Sequence, residues 1–251
     1  MPREFDLEWQ GHKQTLRFGD PRLSPRAPRK KPGPRLQERD VRILNWIGRH
    51  GVVTHEQVTV RFFASDDHPG TWAAYRRLRA LERVGLIRRD RAYSYPADIF
   101  RVTRDGAEAG RCGVGPAPLR PKVLATLDHD LSVVDLMDHL LATTPGATLT
   151  TERELWADWY RNLRSGARLP RLPRMPDGAL TQPDGRMIAV ELDLTSKSTR
   201  RIEEIINAYL ASPYRLVWWY VTSETIATRY RSVVAAEKVD DVFDVRVWNR
   251  S

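Results

Sequence analysis

The segment Ala80–Asp90, ALERVGLIRRD, passes from a helical pattern into a strand pattern. Apolar or small residues extend the helical part upstream at spacings of three and four, and we expect them to face inward: Tyr75, Leu78, Leu81 and Gly85. The helix is predicted to start near Gly70. This change from helix to strand decides how the first half of the chain is interpreted.

A second stripe of the same helix is almost purely cationic. Its members follow at i, i+4, i+7 and i+11: Trp72, Arg76, Arg79 and Arg83. Beyond the helix, Leu86–Arg91 and Asp98–Thr103 flank Ala92–Ala97, a turn-like stretch with Pro96, which predicts a two-stranded hairpin. Upstream, Ile43, Leu44 and Ile47 mark a first helix, and Thr54 is the expected N-cap of a second.

Three short helices followed by a basic hairpin resemble a winged helix-turn-helix domain, here over residues 36–104. The resemblance implies that the third helix enters the major groove of double-stranded DNA and that the hairpin lies on neighbouring phosphates. The predicted DNA contacts in this domain are Thr71, Trp72, Arg76, Arg77, Arg79, Arg83, Arg88, Arg89 and Arg91. The alternative is a solvated basic face on a helical protein-interaction module.

Residues 1–35 combine proline with positive charge. Five prolines and six basic residues fall between Pro21 and Arg35, a composition that predicts a disordered basic arm, with Lys30 and Lys31 as further DNA contacts. A solubilising tail is the alternative. The whole chain has 41 Lys and Arg against 32 Asp and Glu, a net charge of +9, which favours a polyanionic partner. Nucleic acid is the first expectation and an anionic membrane surface the second.

Three features narrow the class of protein. The longest wholly apolar run, Leu216–Val221, is too short to span a bilayer, and the N-terminus lacks a secretory signal, so we expect a soluble cytoplasmic protein. The single cysteine, Cys112, cannot form an intrachain disulfide or a thiolate metal cage.

The glycine and proline residues over 105–121 predict a linker. We expect residues 122–251 to form a second domain that begins with the helix Leu124–Ala142.

The C-terminal domain is predicted to be α/β with a central sheet. The expected order is a helix over 150–163, short strands near 168–181, a strand over 187–194, a helix over 199–211, a strand over 215–222, a helix over 224–238 and a strand over 242–248. On the strand MIAVELDL, Glu191 and Asp193 emerge on one face while Val190 and Leu192 point to the other. A divalent cation would relieve the repulsion between the two carboxylates, and Asp177 would supply a third oxygen ligand.

These residues resemble the PD-(D/E)xK nuclease superfamily, which implies a restriction-endonuclease-like domain. Pro176 and Asp177 match the "PD", and Glu191 matches the "(D/E)". Asp193 stands where the pattern has lysine, and Lys197 is a candidate relocated lysine. If the domain is active, Asp177, Glu191, Asp193 and Lys197 are catalytic, and the first three hold Mg²⁺ or Mn²⁺. Alternatively, the strand acids face solvent and pair with Arg200 or Arg201.

From end to end, the order of motifs is similar to the replication-relaxation family. The match runs over about residues 36–248 through LDHDLSVVDL with His129, TERELW, PDG, VELDLTSKS and the helix with Tyr209. It implies a DNA-binding accessory protein of plasmid or mobile-element replication and conjugative transfer, acting with a relaxase or replication initiator, and a homodimer stays open. Because the lysine is missing, we expect a degenerate nuclease fold and no catalysis. A metal-dependent endonuclease and a winged-helix transcriptional regulator are the alternatives.

Overall fold

The computed structural model describes residues 4–9, 12–17, 35–65, 70–90, 97–117, 124–166 and 174–249. The chain divides into two units, Met1–Arg35 and Leu36–Ser251. Across the described residues the fold is mixed α and β, as the sequence predicts. No helix within those ranges is long and apolar enough to cross a membrane.

The first unit contains an antiparallel hairpin where we expected disorder. Strand β1 (Glu4–Trp9) pairs with β2 (His12–Arg17), and Phe5 lies opposite Leu16. The sequence EFDLEW alternates acidic and apolar residues with the period of a strand. The prediction of disorder followed the basic, proline-rich stretch after it and disregarded this alternation. The prediction of a disordered arm is therefore wrong over β1 and β2. Its remaining part, with Lys30 and Lys31, lies outside the described residues.

The second unit begins with helices and a small antiparallel sheet. Their bounds are α1 (Glu38–His50), β3 (Val53–Thr54), α2 (His55–Phe62), α3 (Thr71–Arg83), β4 (Ile87–Asp90) and β5 (Ile99–Val102). In the part of the chain that is described, β5 lies between β3 and β4 and pairs antiparallel with both. Thr54 caps α2 as expected, since its hydroxyl accepts the Gln57 backbone N–H at 3.1 Å. The winged-helix assignment itself stays a prediction.

The predicted linker contains a packed helix. Helix α4 (Arg104–Ala109) follows β5, and the buried Cys112 donates its thiol hydrogen to the Leu44 carbonyl at 3.3 Å. Gly110 lies so close to α1 that an added Cβ would come within 2.7 Å of the Asn45 backbone nitrogen. The linker interpretation is thus wrong over α4 and Cys112, because glycines that look like flexible joints are here required for close backbone packing.

The larger sheet occupies the C-terminal half. The elements, in chain order, are α5 (Leu124–Thr143), β6 (Thr148–Thr151), α6 (Glu152–Arg164), β7 (Gly178–Thr181), β8 (Met187–Asp193), α7 (Thr199–Leu210), β9 (Leu216–Val221), α8 (Glu224–Ala236) and β10 (Phe243–Val247). Among the described strands the order is β10-β9-β8-β7-β6. Strands β8, β9 and β10 are parallel to one another, whereas β6 and β7 run antiparallel to their neighbours. The sequence missed β6, which precedes α6.

Strand β8 is buried on both faces. Ile188, Val190 and Leu192 pack with the buried side chains of α5, including Leu136 and Met137. Ala189 belongs to the core cluster on the other face, which α7 and α8 cover. Glu191 and Asp193 therefore point into the second face, as the period of a strand requires.

Helix α5 joins the two halves of the second unit. Leu127 and Leu131 form a buried cluster with Val52 and Ile99 of the N-terminal half. On α2, the Gln57 side-chain amide donates to the Leu131 carbonyl at 2.8 Å. The sequence boundaries 36–104 and 122–251 therefore do not separate independent bodies, since one helix supplies side chains to both cores.

Candidate nucleic-acid interface and buried carboxylates

The outward face of α3 carries aromatic and cationic side chains together. Trp72 is 71% exposed and Tyr75 is 41% exposed, and their rings meet edge to face at 5.7 Å. Arg76 and Arg83 are exposed on the same helix, and no acidic side chain of the described residues pairs with either. Tyr75 was expected to face inward, but it joins this outward face, which we call the α3 surface: Thr71, Trp72, Tyr75, Arg76, Arg79 and Arg83.

Arg77 does not belong to the α3 surface. Its guanidinium forms an ion pair with Asp40, which is 0% exposed on α1. Position 77 lies one turn after the buried Ala74 and one turn before the buried Leu81, at the inner edge of the helix. The DNA contact expected of Arg77 stays a prediction, and in this structure the side chain connects α3 to α1.

The remaining predicted cations of this domain are partly neutralised. Arg79 pairs with Glu82 at 2.7 Å, and Arg89 pairs with Asp98 at 2.9 Å. Arg88 is 61% exposed and lies 3.6 Å from Asp90. Arg91 is outside the described residues. Among the predicted cations that the structure describes, Arg76 and Arg83 are therefore the least neutralised. Arg88, on β4, is also exposed.

Glu191 lies in a closed set of donors. Arg174 donates to both of its carboxylate oxygens, from Nε at 3.2 Å and from Nη2 at 2.6 Å, and the Tyr209 hydroxyl also donates to it. The residue is 3% exposed. Burial, with the charge of Asp177, raises the pKa of Glu191 to about 7, although Arg174 and Tyr209 act in the opposite direction.

Asp193 is held in the same way by other groups. The Lys197 ammonium pairs with one carboxylate oxygen, while Trp219 Nε1 at 3.0 Å and the Tyr230 hydroxyl at 2.9 Å donate to the other. Lys197 thus acts as the counter-ion of Asp193. The alternative in which Arg200 or Arg201 neutralises the strand acids is wrong, because both of those arginines pair with Glu204.

Asp177 binds the end of β8 and a histidine of α5. One of its carboxylate oxygens accepts the Leu192 backbone N–H at 2.8 Å and lies 3.4 Å from His129 Nε2. The same ring nitrogen is 3.0 Å from the Leu192 carbonyl oxygen. The hydrogen bond to Asp177 raises the pKa of His129, against the effect of burial. His129 lies inside α5, in the second turn of that helix.

The donor set does not fit a Mg²⁺ or Mn²⁺ site. A hard cation needs carboxylate oxygens with free lone pairs and room for water. Here an arginine and a tyrosine donate hydrogen bonds to the carboxylate oxygens of Glu191. A lysine, a tryptophan and a tyrosine bind those of Asp193 in the same way. The ranges that the structure describes contain no cluster of three or more His, Cys, Asp or Glu arranged to hold a metal. The acids are stabilised by protein cations instead.

Sequence reasoning missed the partners of these acids. The partners of Glu191 are Arg174, which lies in a loop, and Tyr209 of α7. Those of Asp193 include Trp219 of β9 and Tyr230 of α8. No local spacing connects them to β8. The usable signal was electrostatic: two buried carboxylates require cations or donors, and a metal is only one of the possible sources.

Taken together, the chain is a mixed α and β protein with an exposed arginine-bearing helix and an internally neutralised carboxylate cluster. A family model described as replication-relaxation matches residues 44–214, which is more than half of the chain. The chain belongs to the replication-relaxation family, as its motif order predicts. No curated protein and no solved structure matches it.

Proposed function

We propose that this protein binds double-stranded DNA through the α3 surface, as an accessory protein of mobile-element replication or conjugative transfer. The observation that carries the proposal is the pair Arg76 and Arg83, both exposed and both without an acidic partner among the described residues. A relaxase or replication initiator bound near the same origin is the proposed protein partner. Membership of the replication-relaxation family supports the process.

The chemistry of the α3 surface suits a duplex. An α-helix fits the major groove, and arginine can bind guanine through two parallel hydrogen bonds. The exposed ring of Trp72 offers apolar contact to a thymine methyl group or to the sugar edge. The net charge of +9 provides the general attraction that any polyanion experiences.

The carboxylate cluster supports an accessory role without catalysis. Arg174 and Lys197 neutralise Glu191 and Asp193 from inside the protein, so the partners of these acids are cations of the same chain. An endonuclease would have to release both ion pairs before it could hold a cation, and no contact in the described residues favours that rearrangement. A transcriptional regulator would use the same DNA surface and would differ only in the process it serves.

The test begins with a library of random duplexes, enriched for the sequence that the protein retains. Fluorescence anisotropy then gives Kd for that duplex and for a scrambled one. We expect Arg76→Ala and Arg83→Ala each to weaken binding to the enriched duplex by about tenfold, because one arginine–guanine pair contributes roughly 1–3 kcal/mol. The scrambled duplex should lose much less affinity.

Arg200→Ala is the matched control, because it removes an arginine that is 89% exposed on α7, outside the α3 surface. This variant should bind both duplexes like the wild type. Failure to enrich any sequence, or equal losses for Arg76→Ala and Arg200→Ala, would contradict the proposal. A log–log plot of Kd against salt should be linear with a steep slope, since phosphate contacts release counter-ions.

A further inference from the structure

Helix α6 is amphipathic, yet it buries none of its residues. Trp156, Tyr160 and Leu163 follow one another at i, i+4 and i+7 and so form one stripe. Trp156 is half-buried, while Tyr160 is 50% and Leu163 48% exposed. A helix of a folded domain normally turns such a stripe toward its core. On α6 the stripe is open to solvent along most of its length.

The rings on α6 form a platform. The Trp156 and Tyr160 rings are stacked, with 5.8 Å between centroids and 29° between planes. Trp159 meets both rings edge to face, at 5.9 Å from Trp156 and 5.1 Å from Tyr160. Trp156 Nε1 donates to Glu152 at 3.2 Å, which fixes the orientation of its indole. We call Trp156, Trp159, Tyr160 and Leu163 the α6 platform.

Positive charge adjoins the platform at the C-terminal end of α6. Arg164 is exposed, and Arg161 is 68% exposed beside its i,i+3 partner Asp158 at 2.6 Å. Glu152 is the other exposed acid of the helix and lies at its opposite end. No acidic side chain of the described residues pairs with Arg164, which is the last residue of the helix. The end of α6 with Tyr160 is therefore electropositive.

We propose that the α6 platform is a binding site for single-stranded DNA. An unpaired base would stack on the exposed Tyr160 ring, which the Trp156 ring supports from its other side, and Arg161 and Arg164 would contact the phosphates. Stacking of this kind needs bases whose faces are free, which a duplex does not offer. The combination of a stacked aromatic pair with adjacent arginines favours nucleic acid over an apolar protein surface, because an apolar surface would offer no anion to Arg164, which has no acidic partner among the described residues. This activity goes beyond the duplex binding proposed for the α3 surface, on another helix.

The experiment uses the full chain and a fluorescein-labelled 20-nucleotide oligothymidylate, with anisotropy as the readout. We expect Trp156→Ala and Tyr160→Ala each to raise Kd by about tenfold, because one base–aromatic stack is typically worth this much. Trp156→Phe and Tyr160→Phe keep a ring and should stay within about threefold of the wild type. Quenching of tryptophan fluorescence by the oligonucleotide should be smaller in Trp156→Phe.

Leu210→Ala is the control for removing an exposed apolar side chain, since Leu210 is 50% exposed on α7. It should bind the oligonucleotide like the wild type. Tyr160→Ala keeps the proposal testable if Trp156→Ala fails to fold, because half of Tyr160 is already exposed. Equal melting temperatures for Tyr160→Ala and the wild type would show that a loss of binding is local.

Two results would overturn the proposal. One is a wild-type protein that does not bind the oligonucleotide. The other is a folded Tyr160→Ala variant that binds the oligonucleotide as tightly as the wild type. If that variant is also a monomer where the wild type is a dimer, the platform serves self-association instead. The duplex proposal is tested separately, because Arg76→Ala should retain oligothymidylate binding and Tyr160→Ala should retain the enriched duplex. Either proposal can fail while the other holds.

Discussion

Arg76 and Arg77 are neighbours in α3, but their surroundings differ. Arg76 is exposed, whereas Arg77 is 18% exposed and pairs with the fully buried carboxylate of Asp40. Asp40 also accepts the Gln37 backbone N–H at 2.6 Å, in the capping box that starts α1. Adjacent arginines of identical chemistry are thus expected to serve different purposes, one on the surface and one in the interior.

Arg77→Ala should destabilise the protein. It leaves the buried Asp40 carboxylate without a cation, and breaking a buried ion pair in this way typically costs about 3–5 kcal/mol of unfolding free energy. Arg76→Ala removes an exposed side chain and should change that free energy by less than about 0.5 kcal/mol. Urea denaturation of the two variants beside the wild type measures both. Similar values for the two would mean that the Asp40 pair contributes little.

We expect His50, on the last turn of α1, to make the stability of the fold depend on pH. Its ring meets Trp46 at 5.3 Å, and burial together with Arg49, Arg61 and Arg153 lowers its pKa to about 3. The unfolded chain has a histidine pKa near 6.5. Between these two values the unfolded state binds the proton and the folded state does not.

The stability that His50 contributes is therefore complete above about pH 6.5 and is lost as the pH falls toward about 3. We expect His50→Gln to flatten the curve of unfolding free energy against pH in this window, where a single group can contribute at most about 1.4 kcal/mol per pH unit. The measurement is urea denaturation at about pH 4, 5, 6 and 7, which covers most of this window. Parallel curves for variant and wild type would show that His50 titrates normally.

At the scale of elements, periodic segments could be predicted well from the sequence. The apolar spacing in α3 and the six-residue apolar run of β9 each identify an element by themselves. The period of β8 also placed Glu191 and Asp193 on one face. These features depend only on residues near in sequence, which is why a local pattern suffices.

Elements whose signal depends on distant contacts were missed or misassigned. In the sequence, Gly106 belongs to the predicted linker. In the structure an added Cβ at this position would collide with the Leu86 backbone, so packing requires glycine. The donors to Glu191 and Asp193, such as Arg174 and Tyr230, come from segments far along the chain. No local period specifies which distant side chain lies opposite a buried acid. The sequence therefore offered a metal for these acids, whereas the structure pairs them with Arg174 and Lys197.

At the scale of the whole molecule, ion pairs between helices connect the N-terminal and C-terminal halves of Leu36–Ser251. Arg49 of α1 pairs with Glu154 of α6 at 2.7 Å, and Arg61 of α2 pairs with Asp138 of α5 at 2.6 Å. Trp46 Nε1 also donates to Asp138 at 3.3 Å. These pairs connect α1, α2, α5 and α6 to one framework, and the Arg77–Asp40 ion pair adds α3 to it.

This framework predicts that both halves unfold together. Leu131 is 0% exposed in the cluster with Val52 and Ile99, so Leu131→Ala should lower the unfolding free energy by about 2–5 kcal/mol. Hydrogen exchange of α1 in one half and β9 in the other should accelerate by the same factor, because opening either half exposes the shared face of α5. Leu210→Ala, an exposed site, should change neither.

Acceleration in α1 alone would mean instead that the N-terminal half opens by itself while the sheet stays folded. The two proposed binding surfaces could then move relative to each other, and DNA bound at one would not alter the geometry of the other. Equal acceleration would mean that α3 and α6 belong to one cooperative folding unit. A single strand continuous with a duplex held at α3 would then reach the α6 platform at a set distance, whereas a separate duplex and a separate single strand should still bind independently.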